Sequence, residues 1–255
     1  MTKLSVAIIT FNEERNIERC LLSLQEVADE IVVVDSFSKD KTEEICKRFS
    51  VQFIPQAFEG HIQQKNYAIE QCSGDFILSL DADEVLSLQL KNAILEEKKN
   101  GFSASVFKFN RLSNYCGYWI KHCGWYPDTK VRLIKKGSAI WGGINPHDEL
   151  QAQNGEKAKH LKGDLLHYTI ATREEHYKQV EYFSTIGAEE AFKNGKRSNS
   201  FIIIGKTIFK FFRDYIIKLG FLDGAAGFTI SRISAYATFR KYSKLKALYK
   251  EIPVI

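Results

Sequence analysis

The amino-terminal part of the chain alternates short apolar runs with segments that have the periodicity of amphipathic helices. Apolar runs predict buried strands at 4–10, 30–35, 51–54 and 75–80. Helical periodicity predicts helices at 13–25, 40–49, 61–72 and 87–100. Strands and helices that alternate at this spacing predict right-handed crossovers and a mostly parallel, Rossmann-like sheet with helices on both faces, so the fold class is α/β.

Two polar residues are expected to start the first two helices. Asn12 can cap the first helix, with Glu13 and Glu14 in its first turn, where the helix dipole favours negative charge. Asp40 is the expected cap of the second helix.

The regular alternation ends after residue 101. Strands are predicted within "SASVFKFN", "KVRLIKK" and "KHLKGDLLHY", which are separated by loops rich in glycine and aromatic residues. This pattern indicates a mixed or antiparallel extension of the sheet. The chain becomes helical from about residue 173, so we expect a catalytic region at 1–172 and a basic helical region at 173–255.

One helical stretch, residues 201–222, is sharply patterned. Its charged residues trace one narrow stripe on a 3.6-residue helix, whereas the other side chains are apolar, aromatic or small. The charged residues are Lys206, Lys210, Arg213, Asp214 and Lys218. Two interpretations stay open: a helix docked on the body with one solvated stripe, or a basic amphipathic helix that lies in a membrane interface.

Charge is distributed unevenly along the chain. The protein has a net charge of +5, but residues 176–255 alone carry +8 and the remainder carries −3. This segregation indicates an anionic partner, either nucleic acid or anionic lipid. The basic region has no RNP, KH or zinc-knuckle pattern, so we expect a membrane surface and no nucleic acid.

Composition narrows the class of protein further. The apolar fraction of 44% and the charged fraction of 26% are ordinary for a soluble globular protein. The five cysteines form no CxxC pair, and neither a signal peptide nor a membrane span is evident. We therefore expect reduced thiols in a cytoplasmic protein, peripheral on the inner face of the plasma membrane.

Polar residues collect where the predicted parallel strands end. Thr10, Asn12 and Glu13 follow the first strand, Asp35 follows the second, and the acidic run "DADE" at 81–84 follows the fourth. Any one of them is more typical of a turn or a cap, but ligands bind beyond the carboxyl ends of such strands. The first turn lacks GxGxxG and no GxxxxGK[ST] occurs, which argues against a dinucleotide fold and a P-loop.

The acidic run requires a positive partner. Asp81, Asp83 and Glu84 place three carboxylates in four positions, and they would repel a diphosphate unless a divalent cation lay between them. Mg²⁺ or Mn²⁺ suits hard oxygen ligands combined with substrate phosphates. The pattern therefore predicts a metal ion that carries a nucleotide diphosphate, and leaves Asp35 for the base or ribose.

Three motifs in order carry a resemblance to a known family. "SVAIITFNEERNIERCLLSL", "EIVVVDSFSKDKT" and "GDFILSLDADE" resemble the inverting glycosyltransferases of family 2, which have the GT-A fold, and the match covers about 1–150. "QKNYAIEQCSGDFILSLDADE", the later "HDE" and the tail around "KLGFLDGAAGF" are similar to the bacterial lipopolysaccharide-core β-1,4-glucosyltransferase-like branch.

The resemblance implies roles for individual residues. Thr10, Asn12, Glu13 and Asp35 would hold the uridine, and Lys65 would lie near the diphosphate. Asp81 would contact ribose or sugar, and Asp83 would bind the metal. A catalytic base would come from the loop after the acidic run, as Asp148 or Glu149, with His147 beside the acceptor or sugar. The reaction chemistry independently requires a second acidic site. One carboxylate must take the proton of the attacking acceptor hydroxyl, and a carboxylate that binds the metal cannot readily do so.

Two further residues have alternative interpretations. His167 follows a predicted strand and is either a further metal ligand or a hydrogen-bonded histidine. Trp125, next to Tyr126 in a glycine-rich loop, is either a platform for a sugar ring or a packing residue.

These expectations define one function and its competitors. The expected activity is transfer of a sugar, glucose by the branch resemblance, from a UDP-sugar to a hydroxyl of a lipid-linked or membrane-associated glycan such as lipopolysaccharide core. The alternatives are another Mg²⁺-dependent nucleotide-sugar enzyme, such as a nucleotidyltransferase or phosphohydrolase, and a non-catalytic membrane- or RNA-binding protein.

Overall fold

Four parallel strands form one half of the central sheet. The computed structural model describes residues 2–144, 147–153 and 155–249, apart from the side chains of Ile144 and His147. The parallel strands are β1 Leu4–Thr10, β2 Glu30–Asp35, β3 Gln52–Pro55 and β4 Phe76–Asp81. They lie side by side in the order β3-β2-β1-β4. The helices between them are α1 Ile17–Leu24, α2 Thr42–Cys46 and α3 His61–Gln71.

Both faces of the parallel strands are buried. Val6 and Ile8 of β1 pack in one apolar cluster with Leu21 of α1. Ala7, which points to the opposite face, packs in another cluster with Ala68 of α3. This two-sided burial is why these strands are continuous apolar runs in the sequence.

Antiparallel strands extend the sheet beyond β4. These strands are β5 Glu84–Leu86, β6 Val106–Tyr115, β7 Tyr118–Trp119, β8 Asp128–Lys135, β9 Ala139–Ile144, β10 His147–Ala152 and β11 Lys159–Ile170, and helix α4 spans Leu88–Lys99. From β4 the strand order of the sheet continues as β8-β6-β11-β5, and β7 pairs with β6. Strands β9 and β10 form a separate two-stranded ribbon. The predicted GT-A-like α/β fold with a mixed extension is thus confirmed.

The first helix starts later than the sequence predicts. Asn16, not Asn12, is the residue before α1. Asn12 has a positive φ of 54°, and its Oδ1 accepts a hydrogen bond from the Lys39 backbone N–H at 2.8 Å. The prediction of an Asn12 cap is therefore wrong, because the side chain that would have capped the helix connects two loops instead.

The carboxyl-terminal region consists of helices. They are α5 Arg173–Lys193, α6 Ser200–Phe212, a π-helical turn Arg213–Ile217, a 3₁₀ turn Gly220–Asp223 and α7 Gly224–Leu248. The stretch expected to be one continuous helix is therefore interrupted. A Cβ on Gly227 would lie 1.8 Å from the Gly220 carbonyl oxygen, so the backbone can approach this closely only because residue 227 lacks a side chain.

Two units are distinguishable in the chain. One comprises Met1–Leu112 and Asp128–Tyr168, and the other comprises Ser113–Pro127 and Thr169–Ile255. The boundary expected at residue 172 stays a prediction. Among the helices of the described ranges, none is long and apolar enough to cross a membrane.

Candidate active site at the carboxyl edge of the sheet

The acidic run forms a tight turn between two strands. Asp81 ends β4 and Glu84 begins β5, whose backbone pairs with β11 so that Glu84 lies opposite His167. The Tyr168 backbone N–H donates to the Asp83 carbonyl oxygen at 2.9 Å. Strands on both sides therefore fix the position of the turn.

Glu84 lies inside the protein and supports the turn from below. Its side chain is 0% exposed, and its carboxylate accepts a hydrogen bond from the Asp81 backbone N–H at 3.1 Å. Arg132 approaches it at 3.1 Å and Arg111 at 3.5 Å. Burial alone would raise the pKa of Glu84, but the Arg132 guanidinium holds that pKa below its usual value. Glu84 is therefore an ionised internal support, a role that was not assigned to it from the sequence.

Asp81 is held by two cations. Lys65 Nζ lies 3.0 Å from the Asp81 carboxylate, and Arg132 lies 3.6 Å from it. Burial would raise the pKa of Asp81, but Lys65 and Arg132 hold it well below the usual range. Lys65 and Asp81, which the resemblance assigns separately to the diphosphate and to the ribose or sugar, are thus in direct contact.

Lys65 also reaches the second acidic site. Its Nζ lies 2.8 Å from an Asp148 carboxylate oxygen and 4.2 Å from the centre of the Trp141 ring. Because Lys65 is buried, water screens these contacts weakly. Residues far apart in sequence, Asp81 and Asp148, are therefore joined through one ammonium group.

Asp148 and Glu149 differ in their surroundings. Both lie in β10, where successive side chains point to opposite faces of the ribbon. The Asp148 side chain is 10% exposed and contacts Lys65, whereas Glu149 is exposed to solvent. The geometry therefore favours Asp148 for chemistry beside Asp81. The His147 side chain lies outside the described part of the structure.

Asp83 and His167, the two predicted metal ligands, are neighbours. His167 Nε2 lies 3.2 Å from an Asp83 carboxylate oxygen. That separation is close to the roughly 3 Å between adjacent ligands of an octahedral ion with bonds of about 2.1 Å. Within the described ranges there is no group of three or more His, Cys, Asp or Glu side chains that could hold a metal ion. The pair offers at most two ligands, so an ion bound here would have to take its others from water and phosphate.

The part of the edge that was expected to meet the nucleotide is formed by the ends of β1 and β2. Asp35 is buried and accepts hydrogen bonds from the Ser38 backbone N–H, at 2.7 Å, and from its hydroxyl. The Asn12 backbone N–H donates to the same Ser38 hydroxyl at 2.7 Å. Thr10 is buried, and its Oγ1 has no hydrogen-bond partner among the described residues. An orphaned buried hydroxyl at this edge is consistent with a polar ligand that supplies the missing bond.

Among the predicted site residues whose side chains the structure describes, Glu13 has a strongly raised pKa. Burial and the nearby carboxylates of Asp83, Asp40 and Asp81 raise its pKa to about 7, although the Asn16 side chain donates to it at 2.8 Å. Burial, the largest of these causes, disfavours the charged form of the carboxyl group, and the neighbouring carboxylates add to that effect.

Trp125 belongs to the second unit. Its ring packs edge-on against Tyr115, with ring centres 6.0 Å apart, beside an apolar cluster that includes Ile120 and Ile230. The structure thus gives Trp125 a packing role within its unit.

Trp141 and Arg111 were missed by sequence reasoning. Trp141 is buried, carries Lys65 on its ring, and donates from Nε1 to the Ser79 hydroxyl at 3.1 Å. Arg111 bridges Glu84 and Asp128. The sequence did contain one signal of this buried charge cluster. Arg132 lies within the apolar run "VRLI" of a predicted strand, and a buried arginine needs carboxylate partners.

Comparison with known proteins places this arrangement in context. Residues 5–148 match the family described as glycosyl transferase family 2. An uncharacterized glycosyltransferase of Rickettsia typhi is 30% identical over 97% of this chain and 88% of its own length. The lipopolysaccharide core biosynthesis glycosyltransferase LpsC of Rhizobium meliloti is 27% identical over 95% of this chain and 91% of its own.

A solved structure shows a partial likeness. Glucosyl-3-phosphoglycerate synthase from Mycobacterium tuberculosis, crystallised with Mn²⁺ and UDP-glucose, is 19% identical over 44% of each chain, with a TM-score of 0.37.

Proposed function

The chain belongs to glycosyltransferase family 2, and from that premise we propose that it transfers a sugar, with inversion, from a UDP-sugar to a hydroxyl of a membrane-associated glycan. The observation that carries the proposal is the assembly of Asp81, Lys65 and Asp148 beside the Asp83–His167 pair. Inverting transfer needs a base for the acceptor and positive charge for the leaving diphosphate, and this edge of the sheet offers both.

Asp148 is the proposed base. Its carboxylate would take the proton of the acceptor hydroxyl as that oxygen attacks the anomeric carbon. Lys65, 2.8 Å away, orients the carboxylate and offers an ammonium group to the diphosphate. Glu149 points to the other face of the ribbon and is the rival that this geometry disfavours.

Asp83 and His167 are the proposed holders of Mg²⁺ or Mn²⁺. Such an ion, when bound, stabilises the charge that develops on the leaving nucleoside diphosphate. Asp81 would meet the ribose or the sugar. Thr10, Asn12, Glu13 and Asp35 would surround the uridine, and the orphaned Thr10 hydroxyl supports a ligand at that point.

Glucose is the proposed sugar and lipopolysaccharide core the proposed acceptor. LpsC, a core biosynthesis glycosyltransferase similar along nearly the whole chain, supports the acceptor class. The net charge of +8 in residues 176–255 supports work at an anionic, cytoplasmic membrane face.

A donor screen tests the proposal. Purified protein is incubated with Mn²⁺ or Mg²⁺ and a panel of nucleotide sugars, and release of nucleoside diphosphate is measured with and without lipopolysaccharide core acceptor. We expect release of UDP, fastest from UDP-glucose and faster with acceptor. Release of pyrophosphate or inorganic phosphate instead would identify a nucleotidyltransferase or a phosphohydrolase.

A further inference from the structure

Helix α6 and the turn after it place only part of their charged stripe against the protein. Ile203 is buried, and Lys206 Nζ lies 4.9 Å from the centre of the Tyr242 ring in α7. In the following turn Asp214 is buried and pairs with Lys210 at 2.9 Å and with Arg213 at 2.8 Å. The stripe is therefore partly internal: Asp214 pairs with Lys210 and Arg213, and Lys206 contacts the Tyr242 ring although it stays exposed.

The opposite face of α6 consists of large apolar side chains in solvent. Phe201 is 88% exposed, Ile208 65% and Ile204 57%. Phe209, Phe212 and Ile217 are each more than half exposed. We call these six residues the apolar face. A surface helix of a soluble protein normally has the opposite arrangement, with apolar residues toward the core.

Such a face requires a partner. Contiguous exposed apolar patches are uncommon on soluble monomers and indicate a protein or membrane contact. The 3₁₀ turn that follows continues the pattern, because Phe221 and Leu222 are exposed too.

We propose that the apolar face inserts into the interfacial region of a lipid bilayer that contains anionic lipids. The net charge of the carboxyl-terminal region favours a bilayer over a second copy of the chain as the partner of this face. Residues 176–255 carry a net +8, so two copies would bring like charges together, whereas an anionic bilayer attracts them. Length agrees, because the 13 residues of α6 span only about 20 Å and none of the described helices is able to cross a bilayer.

We infer that the protein binds the bilayer mainly by inserting apolar side chains, and less by electrostatic attraction of its lysines to the lipid headgroups. Lys210 and Arg213 share the single carboxylate of Asp214, so this cluster keeps only one net positive charge for lipid binding. The apolar face then supplies most of the affinity, and exposed cations such as Lys218 add a smaller, salt-sensitive part. This inference deepens the proposed function by naming the surface that would hold the enzyme near a membrane-associated acceptor, but lipid binding is measurable without any donor.

Flotation of the full chain with vesicles tests the inference. The vesicles are phosphatidylethanolamine with phosphatidylglycerol, and phosphatidylcholine alone serves for comparison. The test variant is Ile204→Ser/Ile208→Ser/Phe212→Ser, which changes one stripe of exposed side chains. The matched control is Leu22→Ser/Leu88→Ser, two comparably exposed apolar residues of the first unit. Circular dichroism verifies that both variants are folded.

We expect the wild type and the control to float with the anionic vesicles, and the triple variant to lose at least tenfold in partition coefficient. Most of the wild-type binding should persist at about 1 M salt, where the Debye length is only about 3 Å. Wild-type-like flotation of the triple variant, or complete release of the wild type by salt, would overturn the inference. A dimer in vesicle-free solution that the triple variant abolishes would also overturn it, in favour of a second copy. Lipid binding without sugar transfer would count against the proposed function alone.

Discussion

Glu84 in the first unit and Asp214 in the second are both buried carboxylates, and each is paired with two cationic side chains. Their surroundings differ. Arg132, the main partner of Glu84, has a side chain that is only 5% exposed, whereas the side chains of Lys210 and Arg213 beside Asp214 are 29% and 41% exposed.

The difference separates two uses of a buried ion pair. Around Glu84 the charges are enclosed, and they hold the turn that presents Asp81 and Asp83 at the sheet edge. Around Asp214 the charges remain in partial contact with water, and their pairing allows α6 to present its apolar side chains outward. The first cluster therefore organises chemistry, and the second reduces the charge beside an apolar surface to one net positive charge.

The largest expected effect comes from Asp148. If the enclosed charges serve catalysis, Asp148→Asn should lower kcat by about 10²–10⁴-fold, because a general base contributes that much. Glu149→Gln is the matched control from the other face of β10 and should stay within about threefold of wild type. Steady-state rates of UDP release measure both variants. A larger loss in Glu149→Gln would move the base to that residue.

Glu84→Gln should destabilise the fold by about 3–5 kcal/mol, because it leaves Arg132 buried without its carboxylate. Urea denaturation measures the change in the free energy of unfolding. The double variant Glu84→Met/Arg132→Met should recover much of that stability but not the activity, because methionine, unlike glutamine, leaves the Asp81 backbone N–H without its side-chain oxygen acceptor. Recovery of both would show that Glu84 has no positioning role.

Asp214→Asn should cost less, about 1–2 kcal/mol, because Lys210 and Arg213 reach water when their partner is neutral. The same denaturation experiment allows a direct comparison with Glu84→Gln. Equal losses in the two variants would contradict the distinction between an enclosed and a partly solvated cluster.

Glu13 should produce an effect no larger than that of Asp214, and only as a dependence of stability on pH. Its folded pKa of about 7 lies above the ordinary 4.5, so the folded state keeps a proton that the unfolded state loses. Stability is therefore lost as pH rises between these values. Glu13→Gln should be more stable than wild type by about 1–2 kcal/mol near pH 8 and equal to it near pH 4, after allowance for partial solvent screening. Thermal melts across pH in metal-free buffer measure this, and parallel curves would contradict it.

The parallel half of the sheet was predictable because both of its faces are buried. Its strands are continuous apolar runs, and topology brings Thr10, Asp35 and Asp81 to one edge without any knowledge of side-chain contacts. The failure at Asn12 has a local cause. Asn12 and Asn16 are both suitable caps, and only the loop contact with Lys39 determines which of them precedes α1.

The support beneath the site was not predictable in the same way. Glu84, Arg132 and Arg111 come from β5, β8 and β6, and no local pattern specifies their pairing. Of the charged stripe predicted for one continuous helix, only Lys206 and Lys210 lie in α6, because the helix is interrupted at Arg213–Ile217. Periodicity specifies which residues share a face, but the contact between Lys206 and Tyr242 determines which face points inward.

The central claim is that Asp83 helps to bind the metal ion that sugar transfer requires. The most direct test compares metal-dependent release of nucleoside diphosphate by the wild type and by Asp83→Asn. The substitution keeps the backbone contact with Tyr168 and removes one charge from the pair with His167. Wild-type protein treated with a chelator should release UDP from UDP-glucose only after Mn²⁺ or Mg²⁺ is added. Folded Asp83→Asn should be slower by at least about 10³-fold at saturating metal, since the charge on the leaving group would be poorly stabilised. Full release by Asp83→Asn from every nucleotide sugar tested would contradict the account.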